Sequence, residues 1–217
     1  MGSGGAGASP AASRQGQGQP MRLILVRHPQ PLVAPGVCYG SSDLAAAPHD
    51  VARVHAALLA SASIPPGTPL YSSPLQRCTA LTSLLGAHTL DARLAEMDFG
   101  AWERRSWDDI PRTEVDAWAA DLACYRPGGG ESVLQVAERV AAFRAELLAR
   151  HSGAACDGRA RGAHEVAIIC HAGTIRLMVA LEAGLQGGLP LAEIALRAAA
   201  LPHKIAYGET VILEAAA

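Results

Sequence analysis

Lysine is almost absent: Lys204 is the only one in 217 residues, and arginine carries the rest of the basic charge. A Walker A phosphate loop, which needs Gly-Lys-Ser/Thr, is thereby excluded. Lys204 is also the sole Schiff-base candidate, in an unpromising Pro-His-Lys context. Aromatic residues are scarce at 4%, so a core must be built mostly from Ala, Leu, Val and Ile. The five cysteines are odd in number and contain no C-x-x-C pair, which suggests neither a disulfide framework nor a zinc site. No uninterrupted apolar run approaches the roughly 18 residues of a membrane span, and no apolar signal segment follows Met1. The net charge of −2 argues against a nucleic-acid or anionic-membrane partner recruited by bulk field. These absences lead to the expectation of a reduced, cytoplasmic chain.

What is present is apolar and ordered along the chain. Hydrophobic residues make up 50% of the sequence, enough for one sizeable core and a single domain. Residues Met1 to Pro20 are Gly, Ser, Ala, Gln and Pro with one charge, Arg14, and are expected to form a disordered tail. The domain is expected over 21–217, with a cap-like insertion around 97–130 that holds all three tryptophans, Trp102, Trp107 and Trp118. The runs Leu23-Ile24-Leu25-Val26 and Val166-Ala167-Ile168-Ile169-Cys170 are aliphatic without alternation, as in strands covered on both faces. Further strands are read over Thr68–Tyr71 and Thr210–Leu213. Helices are read from Val51-Val54-Leu58-Leu59, from Ser73-Pro74 to Gly86, from Ser132 to about His151 and from Thr174 to Ala183. Strands alternating with helices predict an α/β fold, three layers α/β/α around a mostly parallel sheet.

In open α/β sheets, ligands bind beyond the carboxyl ends of the strands. Arg27 and His28 end the first strand, Ser72-Ser73 the second, and His171 follows Cys170. Each leads toward a helix whose first amides can hold an anion. Arg77 falls one turn into the helix after Ser73-Pro74, and Glu96 follows the short extended piece Thr89-Leu90. Taken singly, each histidine would read as a core residue, Arg77 as a solvated helix position, and Glu96 as one acid beside Asp98 and Glu103. Together they suit phosphoryl transfer. Guanidinium forks match phosphate oxygens. A neutral imidazole, with an ordinary pKa of about 6.5, is a competent nucleophile. A carboxylic acid can protonate the leaving oxygen and later take a proton from water. No metal or other cofactor is required, because the guanidiniums neutralise the developing charge.

Arg27-His28-Pro29, Ser72-Ser73-Pro74-Leu75-Gln76-Arg77, Glu96 with Phe99-Gly100-Ala101-Trp102-Glu103, and His171-Ala172-Gly173 together resemble the histidine phosphatase superfamily. That superfamily includes phosphoglycerate mutase and many phosphatases, and the likeness runs from about Arg22 to Leu213. The resemblance implies a phosphoglycerate mutase-like fold and a metal-independent hydrolase of small phosphomonoesters. It implies His28 as the nucleophile, Arg27, Arg77 and His171 as phosphoryl-binding residues, and Glu96 as proton donor and acceptor. Gly36-Val37-Cys38-Tyr39-Gly40 with Asp43, and Gly129-Gly130-Glu131-Ser132, look most like alpha-ribazole phosphatases, which act on a nucleotide-loop precursor of cobalamin. Three positions depart from the family pattern: Pro29 and Arg104 stand where glycine is usual, and Ala34 where a polar residue often faces the phosphate. A phosphoglycerate mutase-type phosphotransferase is the alternative enzyme, and normally has a longer lid. A non-catalytic phospho-ligand binding domain would be expected to lose His28 or Glu96, and both are present.

Overall fold

The computed structural model describes residues 20–152, 165–200 and 204–215. The expected tail, apart from Pro20, lies outside the described residues. Strand β1 (Met21–Arg27) runs parallel to β4 (Glu165–Cys170), with Leu23 opposite Val166 and Arg27 opposite Cys170. On the other side of β4 lies β2 (Leu70–Ser72), also parallel, followed by β3 (Thr89–Leu90). The last strand, β5 (Thr210–Ala215), is antiparallel to β1, giving the order β3-β2-β4-β1-β5.

The unbroken apolar runs have a direct structural reason. Successive side chains of a strand point to opposite faces, and here both faces are covered. Leu23, Leu25, Val166 and Ile168 pack against α4 (Val133–Ser152), α5 (Ala172–Gln186) and α6 (Leu191–Ala200). Ile24, Val26, Ala167 and Ile169 pack against α1 (Pro48–Ser61) and α2 (Gln76–Leu85). The fold is the expected three-layer α/β/α arrangement. Each large aliphatic side chain so removed from water contributes about 1.5–3 kcal/mol, and that apolar packing supports the polar strand ends described below. Between β3 and α4 the chain makes short 3-10 turns and one helix, α3 (Arg112–Ala120).

Local differences from the sequence expectations have physical causes. Ser72–Leu75 is not helical: α2 begins at Gln76, after an extended Leu75 at φ −68°, ψ 138°. The Asp43 carboxylate accepts the Gln76 N–H at 2.7 Å, so the start of α2 is capped from a distant loop. Leu59, which the helical pattern included in the apolar face of α1, is 64% exposed. Helix α6 is absent from the sequence reading, although Ile194, Ala195 and Ala198 lie along its buried side. Arg104, where glycine is usual, has the left-handed φ of 66° and donates its N–H to Cys38 O at 2.8 Å. The backbone there keeps the conformation glycine favours, at some steric cost to arginine.

Candidate active site

His28 leaves the carboxyl end of β1 with its N–H bonded to Cys170 O at 2.9 Å, so strand pairing extends onto the site residue itself. The ring is buried, and Nδ1 lies 2.7 Å from Pro29 O. A carbonyl only accepts, so Nδ1 carries the proton and Nε2 keeps its lone pair. The residue after His28 acts through its backbone oxygen, which explains why proline serves where glycine is usual. Burial, and next the charge of Arg77, push the His28 pKa down to about 3, with Arg27 adding to the effect. At neutral pH the ring is an uncharged nucleophile.

His171 precedes α5 and is fully buried, its ring centroid 5.0 Å from that of His28. Its Nε2 lies 2.8 Å from Ser73 Oγ and 3.6 Å from Cys78 Sγ, both able to donate. On the other side of the ring, Nδ1 is buried without a protein partner. Burial, then the charges of His28 and Arg77, hold the His171 pKa well below the ordinary imidazole value. It is therefore uncharged at neutral pH. Both histidines stay neutral when folded but titrate near pH 6.5 when unfolded. The unfolded chain binds more protons below that pH, so stability declines as pH falls toward the depressed folded values. Each histidine accounts for on the order of 1 kcal/mol per pH unit. The unfolding temperature is expected to fall steadily between pH 7 and pH 5; a flat profile would contradict this.

The two arginines are held by carbonyls and aromatic rings rather than by carboxylates. Arg27 donates Nη1 to Ile205 O at 2.5 Å, and its guanidinium carbon sits 3.9 Å over the Tyr207 ring. Arg77 is fully buried; it donates Nη2 to Gly40 O at 2.5 Å and Nη1 to Ser42 O at 2.8 Å, with the Tyr39 ring 5.6 Å away. The Tyr39 and Tyr207 hydroxyls hydrogen-bond to each other at 2.8 Å, linking the two platforms. Neither arginine forms an ion pair among the described residues. Unpaired guanidiniums removed from water carry a solvation cost that a bound anion relieves.

Glu103 builds the loop that holds Arg77. Its carboxylate accepts from the N–H groups of Gly40, Ser41, Ser42 and Phe99 and from Ser42 Oγ. Burial alone would raise its pKa, but these hydrogen bonds prevail and hold it below the usual carboxylate range. Asp98 is also already engaged, accepting from the backbone Gly100 N at 2.8 Å and from the Ser41 hydroxyl at 3.0 Å. Glu96 is different. Its Oε2 accepts from Gly173 N at 3.0 Å, in the first turn of α5, and Oε1 from Met97 N at 3.1 Å. A Cβ on Gly173 would stand 2.3 Å from Glu96 Oε1, so this glycine is a requirement of the close approach. Arg139 fixes the chain leading to Glu96, donating to Arg93 O, Ala95 O and Glu96 O while pairing with Glu131.

Arg27, His28, Arg77 and Glu96 line one cavity of about 230 Å³, with Val37, Tyr39, Phe99 and Trp107. His171 joins the group through its ring contact with His28. Asp98 and Glu103 do not line it. The amide expected to hold an anion at the start of α2 is already taken by Asp43, and Gly173 N of α5 by Glu96. Ala34 is exposed and lies outside the cavity wall. Trp102 is fully buried, as packing residues are, whereas Trp107 reaches the cavity and stacks on Trp118 with ring planes 7° apart. Sequence reasoning missed Tyr207, Arg139 and the arginine-supporting role of Tyr39. Each is an isolated residue with no local pattern to mark it. Among the described residues, no group of three or more His, Cys, Asp and Glu side chains could hold a metal, and no helix is long and apolar enough to cross a membrane. Cys38, Cys78, Cys124 and Cys170 are free thiols.

The family model for the histidine phosphatase superfamily (branch 1) matches residues 23–198. The chain belongs to that superfamily, and it is a phosphatase. No curated protein matches by sequence. Among solved structures, the mycobacterial glucosyl-3-phosphoglycerate phosphatase is similar, at 26% identity and TM-score 0.68 over 89% of this chain and 90% of its own. A second similar structure, called mycobacterial hydrolase 1, has 26% identity and TM-score 0.70, covering 89% of each chain. The alpha-ribazole phosphatase of Shigella flexneri has TM-score 0.67 at 21% identity over 88% of this chain and 89% of its own, a likeness of fold.

Proposed function

We propose that the protein hydrolyses small phosphomonoesters without a metal, through a phosphohistidine on His28. The observation that carries this reading is a neutral, buried imidazole with its Nδ1 proton committed to Pro29 O, in a cavity lined by two guanidiniums without carboxylate partners. Nε2 attacks phosphorus while the bond to the leaving oxygen breaks, and protonated Glu96 supplies the proton that oxygen needs. Arg27, Arg77 and His171 take up charge on the three non-bridging oxygens. Water then attacks the phosphohistidine, its proton passes to the Glu96 carboxylate, and inorganic phosphate leaves with His28 and protonated Glu96 restored. The 97–130 segment acts as a cap in this reading, with Phe99 and Trp107 supplying the cavity's aromatic wall.

Two substrate candidates have support. The Tyr39-Gly40 and Glu131-Ser132 motifs resemble those of alpha-ribazole phosphatases, while the solved glucosyl-3-phosphoglycerate phosphatase is a structural relative at 26% identity. Release of phosphate from p-nitrophenyl phosphate, alpha-ribazole phosphate and glucosyl-3-phosphoglycerate tests the reading. Chelator-treated protein should keep its rate, because the positive charge comes from the arginines. Loss on chelation with recovery on adding magnesium would overturn it.

The role of Glu96 has its own test. An aliphatic alcohol needs protonation to leave, whereas p-nitrophenol does not. Glu96→Gln is expected to slow an alkyl phosphate by about 10²- to 10⁴-fold, with phosphoenzyme formation from the nitrophenyl ester surviving. If Asp98→Asn shows that selectivity and Glu96→Gln does not, the proton belongs to Asp98.

A further inference from the structure

A second cavity of about 330 Å³ adjoins the first and shares Tyr39, Glu96 and Phe99 with it. Much of its wall is apolar, including Leu122, Val133, Val136 and Leu177, but Arg176 and Trp118 also line it. Arg176 Nε and Trp118 Nε1 are buried without a hydrogen-bond partner, and Arg176 forms no ion pair among the described residues. On α5, Arg176 lies about one turn beyond Gly173, whose N–H holds the Glu96 carboxylate. Glu96 therefore stands at the junction, with phosphoryl-binding groups on one side and Arg176 on the other.

We propose that this second cavity receives the alcohol part of the substrate and that Arg176 binds a carboxylate carried by it. The substrate class is then phosphomonoesters of hydroxy acids. The inference rests on the phosphohydrolase reading for its orientation, since the proton donor marks where the leaving oxygen lies. A guanidinium fork matches a carboxylate with two parallel hydrogen bonds. Arg176 is the one cation lining this pocket, and Glu96 enters the phosphohydrolase reading protonated, so one negative charge on the ligand balances it. A second phosphate would leave excess negative charge beside Glu96, and a neutral nucleoside would leave the guanidinium unmatched.

Two ligands that differ at one group provide the test: 3-phosphoglycerate and glycerol 3-phosphate, a carboxylate against a hydroxymethyl. Calorimetric titration into His28→Ala protein separates binding from turnover. The carboxylate ligand is expected to bind at least about tenfold more tightly, and Arg176→Met in the same background should abolish the difference. In otherwise unaltered enzyme, Arg176→Met should leave p-nitrophenyl phosphate hydrolysis within about threefold, which also reports on its fold. Equal affinity for the two ligands in His28→Ala protein overturns the proposal, as does a preference that survives Arg176→Met. If Arg176→Met does not fold, the comparison in His28→Ala protein still decides, and Arg176→Gln supplies the second arm. Failure of the unaltered enzyme to hydrolyse p-nitrophenyl phosphate would count against the phosphohydrolase reading alone, because the calorimetric preference is read without turnover.

Discussion

His28→Ala is expected to lower turnover by on the order of 10⁴-fold or more, the scale on which loss of a covalent nucleophile is felt. Pro29 O, Cys170 O and the arginines would remain in place, since the backbone bonds around position 28 do not involve the ring. The fold should therefore survive. Removing an imidazole that is neutral when folded but protonates below about pH 6.5 when unfolded should also flatten the acid limb of the stability profile. Near-normal turnover in a well-folded His28→Ala protein would remove the nucleophile from the account.

Arg77→Lys is expected to cost about 10²- to 10³-fold in kcat, comparable to removing a preorganised donor that faces developing charge. The substitution keeps the charge, so the expected loss comes from geometry. Arg77 uses two nitrogens on Gly40 O and Ser42 O, and this fixes the plane in which the guanidinium meets a phosphoryl group. One ammonium cannot hold both carbonyls and present a fork as well. Wild-type turnover and affinity in Arg77→Lys would mean that its charge alone matters, or that the residue is not used.

The parts legible in the sequence were those with a physical signature along the chain. Residues 23–26 and 166–170 lack polar alternation because both faces of the sheet are covered, and the structure places the two strands side by side. Arg27, His28 and His171 stood out because charged or chargeable groups directly followed those runs. The supporting residues were not legible, since their roles arise only when distant segments meet. Glu103 serves Arg77 through a loop more than fifty residues away in sequence, and Arg139 reaches back to the chain before Glu96. Tyr207 supports Arg27 from just before β5. Glu96 and Asp98 were inseparable by strand-like alternation. The chain turns between them, so that one carboxylate meets the start of α5 and the other closes a local turn.

The most direct test of the central claim is to quench the enzyme during hydrolysis of a labelled phosphomonoester and map the covalent phosphate by peptide. The label should be acid-labile, stable in base and attached to His28 through Nε2, the nitrogen left free by the Nδ1 bond to Pro29 O. A label on any other residue, or rapid turnover with no trapped phosphoenzyme, would contradict it.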